Sequence, residues 1–156
     1  MSRRCGATKH PKPRANPFDS EPLMYLLDTN ILTYFFKAQG GVAERLHAQP
    51  LQLLHVPSVA VLEIEFGIAA SSKPDKYRAQ LDWILRNFHI TSLDASAAQA
   101  AGVVRHHLEK AGTPIGTYDL MIAGIALANR LIVVSRNTRE FERVPGLKVE
   151  NWYDPS

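Results

Sequence analysis

Cysteine is nearly absent from this chain of 156 residues: the single one is Cys5. One cysteine can form neither an intramolecular disulfide nor a cysteine-based metal site, and a reducing cytoplasm is the compartment that this usage points to. Long hydrophobic runs are missing too. The most apolar stretches, Val59 to Ala70 and Leu120 to Ala128, are shorter than the ~18 residues a membrane-spanning helix needs, and each contains or adjoins a carboxylate. No apolar segment follows the Met1-Ser2-Arg3-Arg4 start, so export is not expected. A dinucleotide fingerprint, a phosphate-binding loop and a zinc-protease motif are all lacking, which leaves nucleotide-driven and zinc-peptidase chemistry without support.

Net charge is also lacking over most of the chain. The formal total is +3, from 18 Lys and Arg against 15 Asp and Glu, but five basic and only two acidic residues precede Met24. The N-terminal tail therefore holds the whole excess, and the body is neutral. Four of the ten prolines fall in that tail, at Pro11, Pro13, Pro17 and Pro22. With so little apolar surface it cannot offset the entropy of ordering, so residues 1–23 are expected to be a disordered, basic, Pro-rich tail. Residues 24–152 are expected to form one globular domain, followed by a short C-terminal end at 153–156.

Within the body, short apolar runs alternate with helical patterns. Leu23 to Leu27 stops at Asp28 as a buried parallel strand would, and further strands are expected at 51–56, 89–93, 131–135 and 147–151. Helices are expected from Ile31, from Val42, over 59–70, after Ser72, over 94–110 and over 117–129. Thr29 or Asn30, Ser58, Thr117 and the capping-box spacing Ser72-Lys73-Pro74-Asp75 supply candidate caps. Tyr77, Leu81, Ile84, Leu85 and Phe88 share one stripe, and Ala97, Ala101, Val104 and Leu108 another. This alternation predicts an α/β domain with a mostly parallel sheet and helices on both faces, whose ligands would gather beyond the carboxyl ends of the strands.

Four carboxylates stand in apolar company or at strand-to-helix junctions: Asp28, Glu63, Asp119 and Glu140. Each has a plain structural explanation. Asp28 could cap the next helix, Asp119 suits the first turn of its own through the helix dipole, and Glu140 could pair with a neighbouring arginine in a solvated loop. The segment Val59 to Phe66 is apolar nearly all round apart from Glu63 and Glu65, so it is expected to be buried on most sides. Periodicity does not choose between the two glutamates. In a parallel α/β fold these acids would converge at one sheet edge and repel each other unless a cation sat among them. An all-oxygen donor set suits a hard ion, Mg²⁺ or Mn²⁺.

Met24-Tyr25-Leu26-Leu27-Asp28-Thr29-Asn30, Pro57-Ser58-Val59 through Glu63 to Gly67, Gly116-Thr117-Tyr118-Asp119-Leu120-Met121-Ile122-Ala123, and Val134-Ser135-Arg136-Asn137-Thr138-Arg139-Glu140-Phe141 resemble the four motifs of PIN-domain ribonucleases, and most nearly the VapC toxins of bacterial type II toxin–antitoxin systems. The resemblance runs from Met24 to about Trp152. It implies a PIN-like three-layer α/β/α domain that cleaves RNA with Mg²⁺, or Mn²⁺ in its place. Asp28 and Asp119 fall at the metal-holding positions, and Glu63 rather than Glu65 at the helix carboxylate. Asn137 stands where many members have Asp, and Glu140 looks like its substitute. The resemblance also implies a cognate antitoxin, whose helical segment lies in a groove near the site, and a homodimer.

Chemistry then suggests roles. Asp28 and Asp119 would hold the ion that activates water, Glu63 and Glu140 would orient waters or complete a second ion's shell, and Thr29, Asn30, Ser135 and Asn137 would steady the carboxylates. Arg136 and Arg139 are candidates for RNA phosphate contacts; with Arg143, they could instead balance Glu140 and Glu142. Trp83, Phe35 and Phe36 are candidates for an apolar contact surface, with core packing expected for the phenylalanines. His106 and His107 are read as solvated. Two rivals stay open: a catalytically silent PIN-like binding module, and a phosphohydrolase using Asp28 as nucleophile, which Asn30 and the lack of a lysine in the four motifs disfavour.

Overall fold

A computed structural model describes residues 22–155. The expected disorder of the tail falls almost wholly on residues 1–21, which lie outside the described residues, as does 156. Among the described residues five strands, β1 (Tyr25–Leu27), β2 (Leu54–Pro57), β3 (His89–Thr91), β4 (Ile132–Val134) and β5 (Val149–Glu150), form one sheet in the order β3-β2-β1-β4-β5. All its pairings are parallel. Among the described residues seven α-helices connect them: α1 (Thr29–Phe36), α2 (Val42–His47), α3 (Ser58–Ala70), α4 (Pro74–Asn87), α5 (Ala95–Lys110), α6 (Thr117–Asn129) and α7 (Thr138–Phe141).

The central strands β1 and β4 are apolar on both faces because both faces are covered. Tyr25, Leu27, Leu54, Val56, Ile132 and Val134 point into one core with Ile31 and Leu32 of α1, Val42 and Leu46 of α2 and Ile84 of α4. Leu26 and Val133 alternate to the opposite core, with Ala97, Val104 and Leu108 of α5, Ile122 to Ala126 of α6, and Phe141. The result is the expected three-layer α/β/α arrangement. The chain leaves β1 toward β2 and β3 on one side, then returns to place β4 and β5 on the other. The order reverses at β1 and β4, and a parallel sheet opens a crevice beyond the strand ends at such a point. Asp28 follows β1 and Ser135 follows β4.

Several local expectations are corrected. Asp28, rather than Thr29 or Asn30, caps α1, accepting a hydrogen bond from the Thr29 amide at 2.7 Å. Ser58 is the first residue of α3, and its hydroxyl accepts instead from the Leu93 amide at 3.2 Å, tying the helix start to the segment after β3. No side-chain cap forms at Lys73 or Gly116, the residues before α4 and α6; Ser71 and not Ser72 accepts from the Lys73 amide. Asp94 does cap α5, through the Ala97 amide at 2.9 Å.

α3 is not buried all round. Val59, Ala60 and Ile68 are covered, but Leu62 and Phe66 are 52% and 73% exposed, because the packing of the helix on α4, β2, α1 and α6 leaves them uncovered. On α4, Leu81 and Ile84 are buried, as is Phe88 just past its end, while Tyr77 and Leu85 at the margins of the stripe are exposed. Trp83 stacks on Phe35 at 5.5 Å and meets Phe36 and Phe88 edge-on, so all three candidate contact aromatics pack against the first core. His106 and His107 are exposed.

Candidate active site

The β1/β4 crevice collects four carboxylates from four segments far apart in sequence. Asp28 is placed by the sheet: its amide donates to the Val134 carbonyl at 3.0 Å, prolonging the pairing by one residue. Its side chain is 5% exposed. One carboxylate oxygen takes the Thr29 amide; the other takes the Ser135 hydroxyl at 2.8 Å and the Asn30 amide nitrogen at 3.3 Å. Burial pushes the Asp28 carboxyl up, and the hydrogen bonds from Ser135 and Thr29 pull it back in part. Ser135, itself fully buried, also accepts from Asn30 Nδ2 and from the Asn137 amide, so one hydroxyl joins three motif residues.

The choice left open on α3 is made by partners. Glu63 Oε1 accepts from the Thr29 hydroxyl at 2.9 Å, whereas Glu65 faces away in a two-pronged pair with Arg78 at 2.8 Å. Asp119, in the first turn of α6, accepts from Asn137 Nδ2 at 3.2 Å. Glu140 is not in a loop: it lies on α7, and its Oε2 accepts from the Gly116 amide at 3.3 Å. Asp119 Oδ2 and Glu140 Oε2 both lie 3.6 Å from where a Gly116 Cβ would be, so the two acids meet over that glycine.

Their proximity shows in their protonation. Burial, a hydrogen bond with Glu140 and the charges of Asp28, Glu140 and Glu63 push Asp119 up to about 8. Glu140 is held down, first by that hydrogen bond with Asp119 and further by the Gly116 amide, Arg143 and Asn137. A proton shared between the two carboxyls would relieve that repulsion. Asp28, Glu63 and Asp119 line one cavity of about 350 Å³ with Thr29, Asn30 and Asn137, and among the described residues no lysine or arginine lines it.

All these donors are oxygens or amides. Among the described residues no three His, Cys, Asp or Glu side chains are drawn into a closed metal cluster. The set fits a hard divalent ion that keeps its waters and takes one or two carboxylates, the habit of Mg²⁺, better than a caged transition metal.

Of the arginines, Arg139 is exposed on α7, and Arg143 donates to the Pro114 carbonyl at 2.9 Å, bracing the segment before α6. Arg136 differs from both: its backbone amide donates to Asn30 Oδ1 at 3.4 Å and its guanidinium lies against Tyr34 and Tyr153. Neither tyrosine stands out in the sequence, because no spacing links residue 34 to residue 153; only the folded chain does. The Gly116 amide is equally invisible as a carboxylate partner.

The chain matches the PIN domain family over residues 25–147. It is 37% identical over 131 residues to a tRNA(fMet)-specific endonuclease VapC of Shigella flexneri, covering 83% of this chain and 98% of that one. It is 32% identical over 136 residues to Ribonuclease VapC2 of Rickettsia felis, with the same coverage. Among solved structures, DNA-bound VapBC from Salmonella typhimurium superposes with a TM-score of 0.78 at 33% identity, over 84% of this chain and 99% of that one. VapBC2 of Rickettsia felis, bound to a DNA fragment from its promoter, gives 0.76 at 31%, over 83% and 99%.

Proposed function

The chain belongs to the PIN-domain family, among its VapC-type ribonucleases, and on that footing we propose that it hydrolyses RNA phosphodiester bonds at the four-carboxylate crevice with Mg²⁺ held by Asp28 and Asp119. It is a ribonuclease and the toxin of a type II toxin–antitoxin system. The observation that supports the site assignment is the gathering of Asp28, Glu63 and Asp119 around one cavity that no basic side chain among the described residues lines. Such a cluster attracts a cation and, without one, repels a phosphodiester.

Asp28 and Asp119 would hold Mg²⁺, or Mn²⁺ in its place, which when bound supplies Lewis-acid activation of water and neutralises phosphate charge. The chain's own groups supply orientation. Ser135, Asn30 and the Thr29 amide fix the Asp28 carboxylate, and Asn137 fixes Asp119. Glu63, steadied by Thr29, and Glu140, steadied by Gly116, would orient the attacking water; one of the two carboxylates takes its proton as the new P–O bond forms, and the leaving oxygen takes a proton from solvent as the old bond breaks.

The relatives solved as VapBC complexes support a cognate antitoxin here. A cavity of about 440 Å³ between α1, α3 and α4 shares Thr29 and Glu63 with the acidic crevice and is floored by Leu32, Phe36, Ile64 and Ile84. It suits an apolar helical segment of that partner. The exposed Leu62 and Phe66 support pairing of the toxin with itself as well. Cysteine usage supports a cytoplasmic setting, and no described helix is long and apolar enough to cross a membrane.

Controlled expression of the wild type against Asp28→Asn and Asp119→Asn in a bacterial host, with sequencing of RNA ends, tests the reading. Growth arrest with mapped cuts is expected for the wild type alone, with both variants folded by circular dichroism. Purified wild type should lose cleavage in chelator and regain it with Mg²⁺. Cutting at wild-type rate by either variant would remove the assigned carboxylates, and cutting indifferent to chelator would remove the metal.

A further inference from the structure

Arg136 follows Ser135 out of the crevice, and its guanidinium carbon sits 3.7 Å above the centre of the Tyr153 ring. Nη1 donates to the Tyr34 hydroxyl at 3.2 Å, and the two tyrosine rings lie 4.4 Å apart, tilted by 57°. Among the described residues no carboxylate forms an ion pair with Arg136, which stays exposed. The guanidinium is thus exposed while Tyr153 backs it.

The support behind that plane is built from three parts of the chain. Gly40 has φ of +63°, and a Cβ there would lie 2.7 Å from both the Tyr153 ring and its carbonyl oxygen. The Gly41 amide donates to that carbonyl at 3.0 Å. Asn151 accepts from the Tyr153 amide at 2.9 Å, and its own carbonyl takes Arg45 at 2.6 Å. Tyr153 is therefore fixed before any ligand arrives, and little is lost in ordering it. The stack is also joined to the chemistry: Arg136 N donates to Asn30 Oδ1, and Asn30 Nδ2 donates to Asp28 Oδ2.

We propose that Tyr34, Arg136 and Tyr153 form a stacking platform for one unpaired RNA base beside the bond that is cut, an inference that rests on the ribonuclease reading for its substrate class. A base splayed out of a single strand offers a π face of the kind an arginine plane or an aromatic ring receives, whereas a base in a duplex is already stacked. Arg136 is on this account a substrate-positioning residue that reads a base plane rather than a phosphate charge.

The test is an abasic scan. A labelled single-stranded oligoribonucleotide, with each position made abasic in turn, is bound in Mg²⁺ to the non-cutting Asp119→Asn protein and to the same protein carrying Arg136→Ala or Arg136→Lys. One position should lose affinity about 5- to 100-fold when abasic. That position-specific penalty should vanish in Arg136→Ala and should not be restored by lysine, which keeps the charge but not the plane. A penalty spread evenly over all positions, or fully restored by Arg136→Lys, overturns the platform in favour of a phosphate contact. Should Arg136→Ala fail to fold, the scan on the parent decides, since absence of any position-specific penalty there is equally fatal. Wild-type cleavage of the same oligonucleotide separates the two readings: cutting without a penalty removes the platform alone, and a penalty that depends on Arg136 without cutting removes the ribonuclease reading alone.

Discussion

Asp119 lies within electrostatic reach of three other carboxyl groups, and the cost of ionising it is built into the fold. Its ordinary value of 3.8 applies to the unfolded chain, and burial with Glu140, Asp28 and Glu63 raises it to about 8 in the folded one. A raised value means that the folded state holds the proton more tightly, so this contribution to stability is fully present below the unfolded value and is lost as pH rises through the folded one. Asp28 is shifted in the same direction. In chelator, the melting temperature should therefore fall from about pH 4 to about pH 8 and level off above that, and saturating Mg²⁺ should flatten the slope. Asp119→Asn should melt a few degrees above wild type in chelator at the alkaline end, a comparison that thermal scanning makes directly. A wild type whose metal-free stability does not change over that range would show that the carboxyls are not coupled.

The acids themselves were legible because each stands at a junction or in a run where a carboxylate is costly: Asp28 after an apolar strand, Glu63 in an apolar helix. Which glutamate of α3 faces inward was legible from the motif resemblance but not from periodicity, because Glu63 and Glu65 are both flanked by apolar residues and their partners Thr29 and Arg78 are distant in sequence.

Among the elements, α5 and α6 make the closest contact. A Cβ on Gly124 of α6 would lie 2.5 Å from the Ala97 carbonyl oxygen and 2.7 Å from the Ala101 Cβ of α5. Backbone cannot yield as a flexible side chain would, so Gly124→Ala should destabilise the domain by about 1–3 kcal/mol, read as a lower urea midpoint at unchanged slope. An unchanged midpoint would mean that the two helices slide apart freely. The inward face of α5, Ala97 to Leu108, followed from its period; the small residue facing it on α6 did not, because a glycine amid apolar neighbours carries no sign of what approaches it. Helix starts were the least legible part. Ser58 and Thr117 have the chemistry of caps, yet Ser58 is drawn to the Leu93 amide and Gly116 takes the place before Thr117, its amide turned to Glu140. Tertiary partners outbid the local ones in both cases.

At the scale of the whole molecule, charge and function are separated along the chain. The +3 excess lies before Met24, whereas the sheet, both cores and the crevice are made from residues after it. Deleting residues 1–23 should leave Mg²⁺-dependent RNA cleavage within about twofold of full length at moderate salt, measured on the same oligonucleotide. Loss of cleavage by the truncated, folded protein would make the tail a working part and its positive charge a means of approaching RNA.

The sheet order has one consequence in time rather than in space. β1, near the start of the chain, has β4 as one of its two neighbours, so Asp28 meets Ser135 only when residues 132–135 are available. A chain emerging from its own synthesis has α1 to α5 before it has an assembled crevice, since Asp119, Asn137 and Glu140 all arrive late. Long-range parallel pairing of this kind closes slowly and near the end of folding. If RNA is cut at the proposed site, a nuclease built in this order cannot cut the RNA around it until Asp119 and the residues after it have been made.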